Sequence, residues 1–89
     1  MKHFKITISG KVQGVFYRQQ TFEMATQLWI KGLVKNLADG SVYIEAEGTS
    51  EQLNQLIEWC KTGPPRAKVS DVKFAEGDLK NFSAFEIIR

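Results

Sequence analysis

The chain has 89 residues, of which 43% are apolar and 25% charged, and a formal net charge of +2. That length allows one hydrophobic core and not two, so a single domain over residues 1–89 is expected. No apolar run approaches the ~18 residues of a membrane span, and the opening Met1-Lys2-His3-Phe4-Lys5 alternates charge with apolar residues instead of building a signal-peptide core.

Phe4, Ile6 and Ile8 alternate with Lys5, Thr7 and Ser9, the period-two pattern of a half-buried strand. The glycine-bracketed stretch GKVQGVFYRQQT, Gly10 to Thr21, comes next. Phe22, Ala25 and Leu28 or Trp29 then recur at three- and four-residue steps, which predicts an amphipathic helix from about Arg18 to Trp29. Gly32 to Leu37 and Ser41 to Gly48 flank Asp39-Gly40, a hairpin-turn pair; Val42, Ile44 and Ala46 should face the core, and Tyr43, Glu45 and Glu47 outward.

Thr49 and Gln52 have capping-box spacing, and Leu53, Leu56, Ile57 and Cys60 form the apolar stripe of a second helix. Gly63 can take a left-handed terminal conformation, and Pro64-Pro65 cannot continue the helix. Val72 and Phe74 mark a fourth strand, and Phe85 and Ile87 a short final one. The order β-α-β-β-α-β plus a short strand predicts an α+β, ferredoxin-like arrangement: one mixed, mainly antiparallel sheet with both helices on one face.

That arrangement hosts many activities, so function must be read from a site. Gln13 to Arg18 connect the first strand to the start of the first helix, where several backbone N–H groups lack intrahelical partners and the helix dipole adds positive charge. Gly14 permits a tight turn and close approach to the backbone, and Arg18 adds a planar fork of donors. A phosphate would suit such a loop; an ordinary strand–helix turn with a solvated arginine has the same spacing. The stretch is neither a P-loop nor G-x-G-x-x-G, so nucleotide binding is not indicated. Asn36 stands in a strand, where Asn is disfavoured, and suits either a turn-former placed early or a positioned carboxamide. Its strand can lie beside the first one, which would bring Asn36 near the loop.

Few other side chains offer chemistry. His3, the single histidine, reads as a solvated residue at the strand edge, and Cys60, the single cysteine, as a small buried hydrophobe with no disulfide partner. The cytoplasm is therefore the expected compartment. Glu45, Glu47 and Glu51 should be solvated. No metal-ligand spacing or nucleophile–histidine arrangement is present. The 12 Lys and Arg are scattered, and the strand Ser41 to Glu47 is acidic with one tyrosine, which argues against a nucleic-acid partner.

SGKVQGVFYR, followed by GLVKNLADGSV, EGT, LIEWCKTGPPRAKVSDV and the final FEII, resembles the acylphosphatase family over essentially the whole chain. The V-Q-G-V-x-[FY]-R stretch together with V-[KRQ]-N is specific to it. The resemblance implies a ferredoxin-like fold and hydrolysis of small-molecule acyl phosphates to a carboxylate and inorganic phosphate, without metal or cofactor. It matches Arg18 to the phosphate-binding arginine, Asn36 to the water-positioning asparagine, and Gln13, Gly14, Val15, Phe16, Tyr17 and Arg18 to the phosphate-cradling loop. Trp29 stands where a glycine commonly ends the first helix, and Leu33 where Trp or Tyr is frequent. A non-catalytic anion-sensing domain is the competing reading, since the loop alone suffices for binding. Nothing requires more than a monomer.

Overall fold

Residues 1–89 are described by a computed structural model. The elements are β1 (Lys2–Lys11), α1 (Tyr17–Gln27), β2 (Lys31–Asn36), β3 (Val42–Gly48), α2 (Ser50–Thr62), β4 (Lys68–Gly77) and β5 (Phe85–Ile88). One five-stranded sheet has the order β4-β1-β3-β2-β5, antiparallel throughout except for the parallel β2–β5 pair. The expected ferredoxin-like order is present, with β5 added at the edge.

Period-two alternation builds the core as expected. Phe4, Ile6 and Ile8 of β1 and Val42, Ile44 and Ala46 of β3 join Ala25 of α1 and the α2 stripe Leu53, Leu56, Ile57 and Cys60 in one buried cluster. The β2–β3 turn is held by Asp39, whose Oδ1 accepts from the Ser41 amide (2.9 Å) and hydroxyl (2.6 Å). α2 begins with a full capping box: the Gln52 amide donates to Thr49 Oγ1, and the Thr49 amide to Gln52 Oε1.

α1 departs from the expected boundaries. It ends at Gln27, and Trp29 lies beyond it, 78% exposed with φ 62°. The buried positions of α1 are Tyr17, Thr21 and Ala25, a four-residue repeat whose middle member is polar. Thr21 is tolerated there because its Oγ1 donates to the Tyr17 carbonyl at 2.8 Å.

The larger correction lies on the face of the sheet opposite the helices. His3, Glu45 and Glu47, expected to be solvated, are all buried. The physical reason is the connection between β4 and β5, residues 78–84, which returns across this face. Glu47 accepts the backbone N–H groups of Lys80 (2.6 Å) and Phe82 (3.1 Å), and its Oε2 lies 2.8 Å from His3 Nδ1. Lys80 Nζ pairs with Glu45 Oε1 at 2.8 Å, and the Phe82 ring stacks on His3. Burial alone would raise the Glu47 carboxyl, but these donors outweigh it and hold the group below its ordinary range. Glu45 is depressed against its own burial in the same way, by Lys80 and the Tyr43 hydroxyl.

Candidate functional site

The two helix N-termini are built differently. That of α2 is closed by its capping box and carries Glu51 in the first turn. That of α1 has Phe16 at the cap position with φ 66° and ψ 23°, no side-chain hydrogen bond to its free amides, and no acidic residue in the first turn. Unpartnered N–H groups and the positive end of a helix dipole therefore face the preceding loop. Gly14 in that loop has φ 73°, and a Cβ there would meet no atom within 4 Å. Its glycine answers to backbone conformation and an open approach, not to packing.

Beside this terminus is a cleft of about 490 Å³ whose lining includes Gly14, Phe16, Tyr17, Arg18, Asn36, Ile87 and Arg89. Arg18 is half-buried, in the first turn of α1, and its Nη1 donates to the Ile88 carbonyl at 3.3 Å. Asn36 is the last residue of β2.

Topology explains how they meet, though not by the route expected from the sequence. β2 does not lie beside β1; β3 separates them. Because both are antiparallel to β3, they run parallel, and their C-terminal ends lie at the same end of the sheet. The loop into α1 leaves from that end, and Asn36 ends β2 there. β5, parallel to β2 with Lys35 opposite Ile88, brings Ile87 and Arg89 to the same end.

Gly14, Phe16, Tyr17 and Arg18 thus join Asn36 at the cleft, whereas two residues of the expected loop turn elsewhere. The Gln13 carboxamide donates to the Leu37 carbonyl (2.8 Å) and the Ser41 carbonyl (2.9 Å), tying the loop to the β2–β3 turn. Val15 is buried in the core. The Tyr17 ring is also buried, its hydroxyl donating to the Cys60 carbonyl at 2.6 Å, so α1 starts against the end of α2. Val15 and Tyr17 can therefore offer a ligand only their backbone. Burial pushes the Cys60 thiol up to about 12, despite a lowering contact from Tyr17, so it stays a protonated packing group as expected.

Ile87 and Arg89 were not foreseen at the cleft. Their only sequence signal is a short apolar strand at the end of the chain, which does not say which neighbour it pairs with.

Fold and cleft together define a small ferredoxin-like protein that can bind an anion between an open helix terminus, a guanidinium and a carboxamide. The family model "Acylphosphatase" matches residues 4–87. An acylphosphatase of Acaryochloris marina is 53% identical over 85 residues, 96% of this chain and 91% of that protein. The crystal structure of acylphosphatase from Bacillus subtilis superposes with a TM-score of 0.97 at 36% identity, covering 100% of both chains. An acylphosphatase structure from Coxiella burnetii gives 0.95 at 39% identity, over 98% of this chain and 92% of that one. The chain belongs to the acylphosphatase family, and its activity is that of an acylphosphatase hydrolase.

Proposed function

We propose that the hydrolysis takes place in this cleft, by in-line attack of a water on the phosphoryl group of an acyl phosphate. The backbone amides of the Gln13–Arg18 loop and the Arg18 guanidinium hold the phosphoryl oxygens, and Asn36 orients the water. The chain acts as one domain over residues 1–89, as a monomer in the cytoplasm, on small-molecule acyl phosphates and with no nucleic-acid partner.

The chemistry needs little more than this set. The leaving group is a carboxylate, whose conjugate acid has a pKa of about 4, so it departs without a proton donor. Phosphoryl transfer passes through a loose transition state in which the water needs little prior deprotonation. The remaining tasks are positioning and charge stabilisation, which amides and a guanidinium perform well in a fixed cleft. A phosphoryl oxygen accepts the water's proton. No step calls for a metal or a cofactor.

One observation carries this reading: Arg18 and Asn36, far apart in sequence, line one cleft beside the uncapped start of α1. The test is turnover of benzoyl phosphate by the wild type, Arg18→Ala and Asn36→Ala. Loss of turnover in both variants supports the assignment. Phosphate binding by the wild type without turnover would favour an anion-sensing domain instead.

A further inference from the structure

We propose that Phe16 selects the acyl group, and that the preferred substrates carry an apolar, ring-bearing acyl group. The inference builds on hydrolysis in the cleft and adds the half of the substrate that the cradle does not bind.

Phe16 is 68% exposed and lines the cleft. Its φ of 66° is a left-handed conformation that bulky residues rarely adopt and that carries a backbone cost. The preceding residue, Val15, is buried in the core, and the Tyr17 side chain that follows is anchored on α2. Phe16 is therefore held between two fixed neighbours, with its ring left in solvent at the site.

The amides, Arg18 and Asn36 serve the phosphoryl group and the water. What remains of the lining for the acyl group is chiefly Phe16, Ile87, Gln19 and Arg89. In that remainder, Phe16 is the largest apolar surface. A cleft of about 490 Å³ also falls in the range, roughly 300–1,000 Å³, of sites that enclose ligands larger than an acetyl phosphate. An aromatic acyl group gains by stacking on an exposed ring, while an acetyl group covers little of it.

The experiment compares benzoyl and acetyl phosphate by kcat/KM, and benzoylphosphonate and acetylphosphonate by calorimetric binding. Wild type, Phe16→Asn and Phe16→Tyr are measured, with Asn chosen because it tolerates the left-handed backbone. The benzoyl-to-acetyl ratio should fall about tenfold in Phe16→Asn, the scale of one aromatic contact. It should be retained in Phe16→Tyr, which keeps the ring. An unchanged ratio in Phe16→Asn overturns the proposal. So does a wild-type preference for succinyl phosphate that Arg89→Ala abolishes, since the acyl pocket would then recognise a second anion. Phosphonate binding with the expected ratios but no turnover of either phosphate would defeat hydrolysis in the cleft and leave the acyl-group selection standing. Turnover of both phosphates with phosphonate ratios unaltered in Phe16→Asn would do the reverse.

Discussion

The Gln13 carboxamide donates to the Leu37 carbonyl at 2.8 Å, and so joins the loop before α1 to the residue that follows Asn36. A second bond, to the Ser41 carbonyl at 2.9 Å, closes the same amide on the far side of the turn. Asn36 ends β2 and the loop follows β1, two strands that are not neighbours, and Gln13 is a side-chain tie between them. Gln13→Ala should let the end of β2 shift relative to the loop. A misplacement of about 1 Å can cost on the order of a hundredfold in turnover, so kcat should fall steeply while inorganic phosphate inhibits nearly as before. Gln13→Glu should be no better, because a carboxylate cannot donate to two carbonyls. Wild-type kcat in Gln13→Ala would show that the tie has no catalytic consequence.

Phosphate should bind at the loop and stabilise the fold. At ten times its dissociation constant a ligand adds about 1.4 kcal/mol by mass action, visible as a rise in melting temperature. Arg18→Ala should remove most of that rise, and Arg18→Lys should not restore it fully, because an ammonium lacks the planar fork. A phosphate-induced shift that survives in Arg18→Ala would put the anion somewhere else on the molecule.

Acid should loosen the face that carries Glu45 and Glu47. Both carboxyls are held below their ordinary value of 4.5 in the folded protein, against the pull of burial, by their hydrogen-bond donors and, at Glu45, by the Lys80 ammonium. Groups depressed on folding contribute stability above the unfolded value and lose it as pH falls through the folded one. Denaturant unfolding from pH 7 down to pH 3 should therefore show a decline that begins near pH 5 and steepens below. Glu47→Gln should have a shallower decline. Glu47→Ala should cost about 1–3 kcal/mol at pH 7, because two backbone N–H groups of the 78–84 connection lose their acceptor. Equal acid slopes for wild type and Glu47→Gln would count against this assignment.

Trp29 stands at φ 62° with 78% of its surface exposed. A left-handed conformation costs a non-glycine residue roughly 1–2 kcal/mol, and glycine returns part of that gain through its looser unfolded chain. Trp29→Gly should raise stability by about 0.5–1 kcal/mol, a few degrees in Tm for a domain of this size. Trp29→Val should lower it, since a β-branched residue is worst placed there. A destabilised glycine variant would mean that the indole makes contacts that matter.

What could be read from the sequence follows from how local each signal is. β1, β3 and α2 were legible because alternation, a capping box and Gly63-Pro64-Pro65 are all encoded within a few residues of where they act. The stripe of α1 was misread because a buried Thr21, bonded to its own helix, breaks the apolar pattern, and Trp29 mimics a continuation of it. Burial of His3 and Glu47 was illegible because the covering segment 78–84 lies more than thirty residues from Glu47 and has no periodicity to announce where it crosses. Asn36 could be named from its motif, but sequence pattern alone left it open between a turn-former and a carboxamide. Its position at the cleft depends on the order of the strands.

The proposed role of Asn36, on the water and not on the phosphate, is tested by kcat and the inhibition constant of inorganic phosphate, measured together in wild type and Asn36→Ala. A group that matters only on the way to the transition state lowers kcat without weakening ground-state binding. In Asn36→Ala, kcat should fall about a hundred- to a thousandfold, the usual loss for one positioned polar group, with phosphate inhibition and melting temperature near wild type. Wild-type kcat accompanied by lost stability would contradict it, because Asn36 would then be a turn residue and another group would have to hold the water.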